Sequence, residues 1–147
     1  MKSLVIERFQ ISSEAAELAV RASARQARSL NVAVSIALVD TGGHLVTFLR
    51  TDGAAFHTRG IAEDKAVTAV SFGIATKALG EALQSRSEEV RNVLRLRPQL
   101  VALGGGLPIS VDGKLVGAIG VSGATEEIDE HIAAEGLAAI SGVSGLA

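Results

Sequence analysis

One aspartate stands out because it falls on the apolar side of a predicted helix. In the segment TEEIDEHIAAEGLAAIS, a rotation of about 100° per residue places Ile128, Ile132 and Gly136 on one stripe, and Asp129 lies within that stripe. A carboxylate that faces a core must find hydrogen-bond donors, or burial raises its pKa. Two interpretations follow. Asp129 either binds backbone N–H groups at the start of the helix, or it is an acid, a base or an anchor in a ligand pocket.

Lys65 is the natural counter-charge for this aspartate. It belongs to a second predicted helix, RGIAEDKAVTAVSFGIATKALG, where it lies between Ile61 and Phe72 on a partly apolar face. Such a lysine either extends to solvent or into a structural ion pair, or it is desolvated enough to take part in chemistry. If the protein is an enzyme, we expect its catalytic residues to be Asp129, Lys65 and His57, which lies in the loop before this helix.

Three consecutive glycines, Gly104 to Gly106 in VALGGGLPIS, have the composition of a loop that holds a ligand. The dinucleotide-binding fingerprint needs a third glycine that opens a helix, but Ile109 occupies that position and a strand follows. The lysine of DGKL lies in a hairpin turn, so a phosphate-binding P-loop is not predicted either. The bare N–H groups of the glycines allow an anion-binding nest. The alternative is a tight connection or a backbone contact between subunits.

The histidines are the candidate ligands for a metal or a cofactor. No preformed metal site is predicted, because no H-x-x-x-H or H-E-x-x-H spacing occurs and the chain has no cysteine. His57 can ligate haem iron or act as a general base. His131, at the edge of the buried face of the last helix, is the second candidate for an iron ligand. The alternative for both is an exposed histidine without a ligand.

The composition bounds the class of protein. We expect one domain over residues 1–147 with an aliphatic core, because 48% of the chain is apolar and only four residues are aromatic. The net charge of −2 argues against a nucleic-acid partner. No apolar segment is long enough to span a membrane, and the N-terminal MKSLVIERFQ does not have the pattern of a signal peptide. We therefore expect a cytoplasmic protein without a membrane partner.

Helices and hairpins alternate along the chain. The segment ISSEAAELAVRASARQARSLN is predicted to form a helix capped by Ser12 or Ser13, with Leu18 and Leu30 facing inward. VAVSIALVD with HLVTFLR, and LPISV with KLVGAIGVSG, are predicted hairpins. The SRSE box at residues 85–88 restarts a helix, and the terminal SGVSGLA is expected to fray. This order predicts an α+β fold in which helices cover an antiparallel sheet on both sides.

The second helix is predicted to be buried on two sides. One apolar face carries Val67, Val70 and Ile74, and the other carries Ile61 and Phe72 with Ala69. A helix that is apolar on two sides needs two partners. We expect one face to meet the sheet and the other to meet a second subunit.

Four segments together resemble the GlcG/HbpS family of haem-degrading domains, which also form the C-terminal domain of some corrinoid adenosyltransferases. They are ALVDTGGHLVTFLRTDGA, EDKAVTAVSFG, GGGLPISVDGKLVGAIGVSG and DEHIAAEGLAAI, and the resemblance covers residues 10–142. It implies a profilin-like fold, a homo-oligomer that is a dimer or larger and in some relatives an octamer, and haem, a corrinoid or iron as ligand. It also implies a location among catabolic genes. The positions that match the family and are candidates for ligand binding are Arg50, Asp52, Gly104, Gly105, Gly106 and Pro108.

The sequence departs from the family pattern near these positions. Thr51 stands where relatives often have methionine, and His57 and His131 stand where they more often have small or other polar residues. No serine or threonine precedes the three glycines, so a ligand held by this loop must use backbone groups. We expect His131 to join the ligand-binding set.

Three functions remain open at this point. The first is a small-molecule-binding oligomer that holds haem or a corrinoid through His57 or His131. The second is a small catabolic enzyme, an isomerase, lyase or hydratase, with a pocket between the Gly104–Gly106 loop and the last helix. There Lys65 and Arg50 would hold an organic acid, Asp129 or His57 would move the proton, and the glycine N–H groups would stabilise an oxyanion. The third is an accessory or structural oligomer without chemistry.

Overall fold

The computed structural model of the chain describes residues 3–141 and confirms the predicted α+β fold. The elements follow in the order α1 (Ser13–Ser29), β1 (Ser35–Asp40), β2 (Leu45–Arg50), α2 (Thr58–Phe72), α3 (Thr76–Gln84), α4 (Glu88–Arg95), β3 (Gly106–Val111), β4 (Lys114–Ser122) and α5 (Glu126–Ser141). The expectation that SGVSGLA frays concerns residues 141–147; Ser141 is the last residue of α5, and residues 142–147 lie outside the described residues. No single helix in residues 3–141 is long and apolar enough to cross a membrane. The bent pair α2 and α3 meets that length and composition only when taken together.

The four strands form one antiparallel sheet in the order β2-β1-β4-β3. Both predicted hairpins are present, and they join through the pairing of β1 with β4, in which Ala37 lies opposite Gly120. β1 is buried on both faces, and β2 and β3 are the edge strands. Pro108 is tolerated in β3 because an edge strand does not need every N–H group for pairing.

Helices cover the two faces of the sheet unequally. α1 and α5 pack together on one face, over a core that includes Ile36, Leu38 and Ile119. On the opposite face α2 packs over β4, β1 and β3 but makes little contact with β2. The sheet therefore has three covered strands on the α2 side and one strand that this helix leaves bare.

The contact between α2 and the sheet is made by small residues. A Cβ atom on Gly120 would collide with the carbonyl oxygen of Ala62 and would lie 2.6 Å from the amide nitrogen of Ala66. Ala62, Ala66 and Ala69 are all fully buried. The backbone of the helix therefore lies directly on the backbone of β4, closer than any larger side chain would allow.

Three details of the predicted helices are wrong. The second helix does not run from residue 59 to residue 80, because Gly73 takes a left-handed conformation (φ 69°) that ends α2 and leaves Ile74 outside it. Leu18 and Leu30 are 44% and 41% exposed, since α1 buries a narrower alanine face instead. Ser87 rather than Ser85 caps α4, through the N–H group of Val90.

Candidate functional site

The two charged residues singled out in the sequence form a buried ion pair. Lys65 Nζ lies 3.1 Å from Asp129 Oδ2, and the side chains are only 4% and 3% exposed. Lys65 also donates a hydrogen bond to the carbonyl oxygen of Val121 at 2.9 Å. The other carboxylate oxygen, Asp129 Oδ1, accepts a hydrogen bond from the N–H group of Ala124 at 2.9 Å. The pair therefore ties α2 and α5 to the end of β4.

The position of Asp129 follows from the first turn of α5. Thr125 caps the helix by accepting the N–H group of Ile128 at 3.3 Å, which directs the next residue inward. The structure thus matches the interpretation in which Asp129 binds backbone N–H groups near the helix start. Both of its oxygens are engaged, and 2% of the residue is exposed.

The three glycines pack directly against this ion pair. A Cβ atom on Gly105 (φ 127°) would lie 2.8 Å from Lys65 Nζ and 3.1 Å from Asp129 Cβ. A Cβ atom on Gly104 would lie 3.1 Å from the carbonyl oxygen of Glu126 in α5. The N–H group of Gly106 is used as well, since it donates to Thr76 Oγ1 at 2.9 Å. The glycines are required here because the loop and the two helices touch.

This packing corrects the expected pocket between the Gly104–Gly106 loop and α5. The loop, Lys65 and Asp129 are in contact across the space that a substrate would need, and all three glycines are buried. The N–H group of Gly106 is already bonded and therefore is not free for an oxyanion. The arrangement is that of a structural connection, one of the two alternatives left open for this loop.

A large groove lies elsewhere, beside the bare face of β2. It has a volume of about 960 Å³ and is defined by Phe48, Arg50, Ala54, Ala55, Phe56, His57, Arg59 and Gly60; we call it the large groove. Phe48 pairs with Ala37, which pairs in turn with Gly120 beneath α2. Because cross-strand partners point to the same face, Phe48 lies on the α2 side of the sheet. The groove exists because α2 does not extend over β2.

The charges around the large groove are positive. The guanidinium group of Arg50 donates to the carbonyl oxygen of Ala54 at 2.8 Å, which fixes the arginine at the groove wall. His57 precedes α2 and is exposed, and the helix begins without a side-chain cap. The N-terminus of a helix carries a partial positive charge. With Arg59, these groups have the charge and apolar surface that would suit an anionic ligand with an apolar part.

A second, smaller groove shares Ala55 and His57 with the first. Its volume is about 470 Å³, and it is lined by Val32, Ala33, Gly53, Ala55, His57, Thr58, Ser122, Gly123 and Ala124; we call it the Ser122 groove. The wall from Ser122 to Ala124 is the turn that the Lys65–Asp129 pair holds in place. The buried ion pair thus contributes to a groove without lining it.

The structure brings only some of the predicted site residues together. Arg50 and His57 line the same groove, whereas Lys65 and Asp129 lie beneath the glycine loop. His131 is on α5 and its Nε2 atom lies 3.0 Å from Gln26 Nε2 of α1, so it belongs to the layer on the other side of the sheet from His57. Asp52 is exposed in the loop after β2 and lines neither groove.

Several groove residues were not predicted. Phe48, Phe56 and Arg59 line the large groove, and Ser122 lines the smaller one. The stretch AAFHTRG places an aromatic residue and a cation beside His57, and this pattern was a usable signal. Nothing in the local sequence pattern marks Phe48 or Ser122, because their neighbours come from distant parts of the chain. Among residues 3–141 no group of three or more potential metal-ligating side chains is found.

Comparison with known proteins gives the family. The four-stranded sheet, its covering helices and the large groove together define a small α+β protein with an open cleft of the size of a small-molecule site. A family model described as haem degrading protein HbpS-like matches residues 11–138, and the chain belongs to this family. The resemblance inferred from the sequence is therefore confirmed.

Individual relatives share both sequence and fold. Protein GlcG of Escherichia coli K12 is 36% identical over 122 residues, which are 83% of this chain and 85% of GlcG. The crystal structure of Klebsiella pneumoniae protein ORFY has a TM-score of 0.90 at 29% identity, with 98% of this chain and 99% of that chain covered. A complex of PduOC with haem has a TM-score of 0.82 at 31% identity, with 89% and 95% covered. The family and this complex support ligand binding as the general function.

Proposed function

We propose that this protein binds haem in the large groove, with His57 as the axial ligand of the iron. The observation that carries the proposal is that an exposed imidazole lies at a groove of about 960 Å³ together with two phenylalanines and two arginines. Each part of a haem has a matching group: imidazole for the iron, aromatic faces for the porphyrin, and cations for the propionates. The haem complex of PduOC, a neighbour in fold, supports the same ligand.

The residues present fit the group on chemical grounds. Phe56 is 87% exposed, an unusual exposure for an aromatic side chain beside a histidine. Arg50 and Arg59, with the N-terminus of α2, would hold the propionates, and Phe48 would contact the ring. When bound, haem supplies a redox-active iron. The chain's own contribution is to ligate, to orient the ring edge and to exclude water from one face. A corrinoid shares the need for an axial imidazole and is the alternative ligand.

The test is a titration with haemin followed by the Soret band. We expect binding by the wild-type protein and a dissociation constant at least about tenfold higher for His57→Ala, because the axial bond is lost. His131→Ala is the matched control, since that histidine lies on the opposite layer, and we expect it to bind as the wild type does. Equal spectra and affinities for wild type and His57→Ala would rule out His57 as the iron ligand. A larger effect of His131→Ala would indicate that the iron ligand is on α5.

We also propose that the protein acts as a homo-oligomer in the cytoplasm, as a dimer or a larger ring up to an octamer. The support is that the large groove is open on one side and that large apolar side chains around the fold are exposed, including Phe56, Phe72 and Ile74. A second copy would cover such surface and enclose the ligand. Haem binding would then belong to the assembly and not only to one chain.

A catalytic role for Asp129 and Lys65 is a weaker proposal. A substrate would have to reach two side chains that are 4% exposed or less and already bonded to each other. An isomerase, lyase or hydratase of organic acids would instead have to use His57 and Arg50, which are exposed and line the large groove together. The accessory-oligomer alternative would be favoured if neither haemin nor cobalamin binds.

A further inference from the structure

The Ser122 groove contains a polar group that the proposed haem site does not use. Ser122 is 6% exposed and lines the groove, and its hydroxyl has no hydrogen-bond partner among residues 3–141. It pairs across the sheet with Ser35, whose Oγ atom lies 2.9 Å from Thr58 Oγ1 at the first turn of α2. Ser122 therefore points to the same face as the start of α2. The Ser122 Oγ atom is itself open to the groove, so a ligand there can accept a hydrogen bond from it.

The other lining groups indicate the charge of a ligand that this groove would bind. No acidic side chain lines the groove. The Thr58 hydroxyl already donates to the carbonyl oxygen of Ala55, so the available polar side chains are Ser122 and His57. Thr58 is the first residue of α2, a helix of 15 residues that has no side-chain cap. Hydroxyl, imidazole and the positive end of a helix are the groups that bind oxyanions. The remaining lining residues are small and apolar: Val32, Ala33, Gly53, Ala55, Gly123 and Ala124.

We propose that the Ser122 groove binds a small carboxylate. One carboxylate oxygen accepts a hydrogen bond from the Ser122 hydroxyl, and the other accepts one from the imidazole N–H group of His57. A short apolar chain packs on Val32 and Ala33. A volume of about 470 Å³ is in the range of small-molecule sites, so an acid of a few carbons can enter and larger acids fit as well.

The carboxylate site goes beyond haem binding and does not need haem. His57 can serve both grooves because its two ring nitrogens are separate: one ligates iron while the other donates a hydrogen bond. The buried Lys65–Asp129 pair has a positioning role here, since it fixes Val121 and Ala124 on either side of Ser122 and Gly123.

The test is an NMR titration of the haem-free protein with sodium propionate and sodium acetate, with sodium chloride at equal ionic strength as reference. We expect saturable shifts centred on the amides of Thr58, Ser122 and Gly123, which chloride does not produce. Ser122→Ala is expected to weaken propionate binding about tenfold, because a hydrogen bond to a charged group is lost. Ser110→Ala, at an exposed serine of β3, is the matched control and should bind as the wild type does.

Three outcomes would overturn the proposal. Equal shifts with chloride would show only an ionic-strength effect. Equal affinity of Ser122→Ala and Ser110→Ala would remove the serine from the site. Preferential binding of glycerol, a neutral polyol, would show that the groove does not select a charge. Because no haem is present, each outcome is independent of the haemin titration.

Discussion

At the scale of residues, the Lys65–Asp129 pair is the most consequential interaction. Both groups are withdrawn from water, which is unfavourable, and their mutual attraction is supported by bonds to Val121 and Ala124. Removing one partner of a buried pair leaves an uncompensated charge and costs about 3–5 kcal/mol. Replacing both partners by apolar groups costs much less. The pair is therefore a constraint on sequence rather than a large net source of stability.

We predict that Asp129→Asn lowers the free energy of unfolding by about 3 kcal/mol, because Lys65 keeps its charge and loses its counter-ion. Urea denaturation measures the change. Glu127→Gln, at an exposed acid of the same helix, should change stability by less than about 0.5 kcal/mol.

The double variant Lys65→Met/Asp129→Leu removes both charges and should be more stable than Asp129→Asn alone. Unchanged stability of Asp129→Asn would mean that the ammonium group finds another partner. A loss of haemin binding in Asp129→Asn without a loss of stability would instead support a direct role in the ligand site.

Two other aspartates are predicted to titrate in opposite directions. Burial alone would raise the pKa of Asp40, but the N–H groups of His44 and Gly42, together with the nearby His44 imidazole, hold that pKa below its ordinary value. Burial and the neighbouring Glu63 raise the pKa of Asp64. Asp40 therefore stabilises the fold above its unfolded-state pKa, and this stability is lost as the pH falls through its folded-state pKa.

NMR titration of the carboxyl carbons measures both values. The ionised form of Asp64 destabilises the fold, so Asp64→Asn should stabilise the protein slightly at neutral pH. This advantage should disappear as the pH falls through the folded-state pKa of Asp64 toward its unfolded-state value. Asp40→Asn should instead be slightly less stable than the wild type at neutral pH and equal to it in acid. Identical pH profiles for the two variants would contradict this assignment.

At the scale of elements, the position of α2 is set by glycines and alanines. Gly120 in β4 lies under the backbone of Ala62 and Ala66, and Gly106 in β3 lies under the carbonyl of Lys65. These close contacts hold α2 over β4 and β3 and away from β2. The bare strand, and with it the large groove, therefore depends on residues that do not line the groove.

We predict that Gly120→Ala destabilises the protein by about 3 kcal/mol or more. The new methyl group would overlap backbone atoms of Ala62 and Ala66, which can move only if the whole helix α2 shifts. Thermal unfolding measures the change. Gly60→Ala is the matched control: no atom lies within 4 Å of its Cβ position. It should be neutral, or stabilise α2 by up to about 1 kcal/mol. A Gly120→Ala variant as stable as Gly60→Ala would show that α2 is not packed on the strand as described.

At the scale of the whole molecule, exposed apolar surface favours self-association. The sequence predicts a second apolar face on the second helix, with Ile61 and Phe72 directed at another subunit. In the structure Ile61 is half-buried, Phe72 is 43% exposed and Ile74 is 39% exposed beside the break at Gly73. Surface of this kind, at the C-terminal end of α2, is the expected location of a contact between copies.

We predict that light scattering on the wild-type protein gives a mass of at least two chains, and that Phe72→Ser shifts it toward the monomer by removing buried apolar area. Leu18→Ser is the matched control, because Leu18 is similarly exposed at 44% but lies on α1. A monomeric wild type would exclude the oligomer. An equal effect of both variants would remove the assignment of the contact to the end of α2.

The sequence by itself determined the features that depend on local pattern. The order of helices and strands, both hairpins, the inward direction of Asp129 and the family follow from periodicity, turn residues and motif order over short segments. Lys65 was also identified as its counter-charge, because it too lies on a partly apolar helix face. These inferences succeed because a helix or a strand repeats its side-chain directions over a few residues.

Only the tertiary structure decided where the open grooves lie. The glycine loop suggested a pocket, yet Gly105 is required because the loop touches Lys65 and Asp129. The grooves lie instead beside His57, where β2 contributes Phe48 and β4 contributes Ser122. Open space in a protein depends on the strand order and on how closely a helix approaches the sheet. Both depend on contacts between residues that are far apart in the chain. Local sequence patterns carry no information about such contacts.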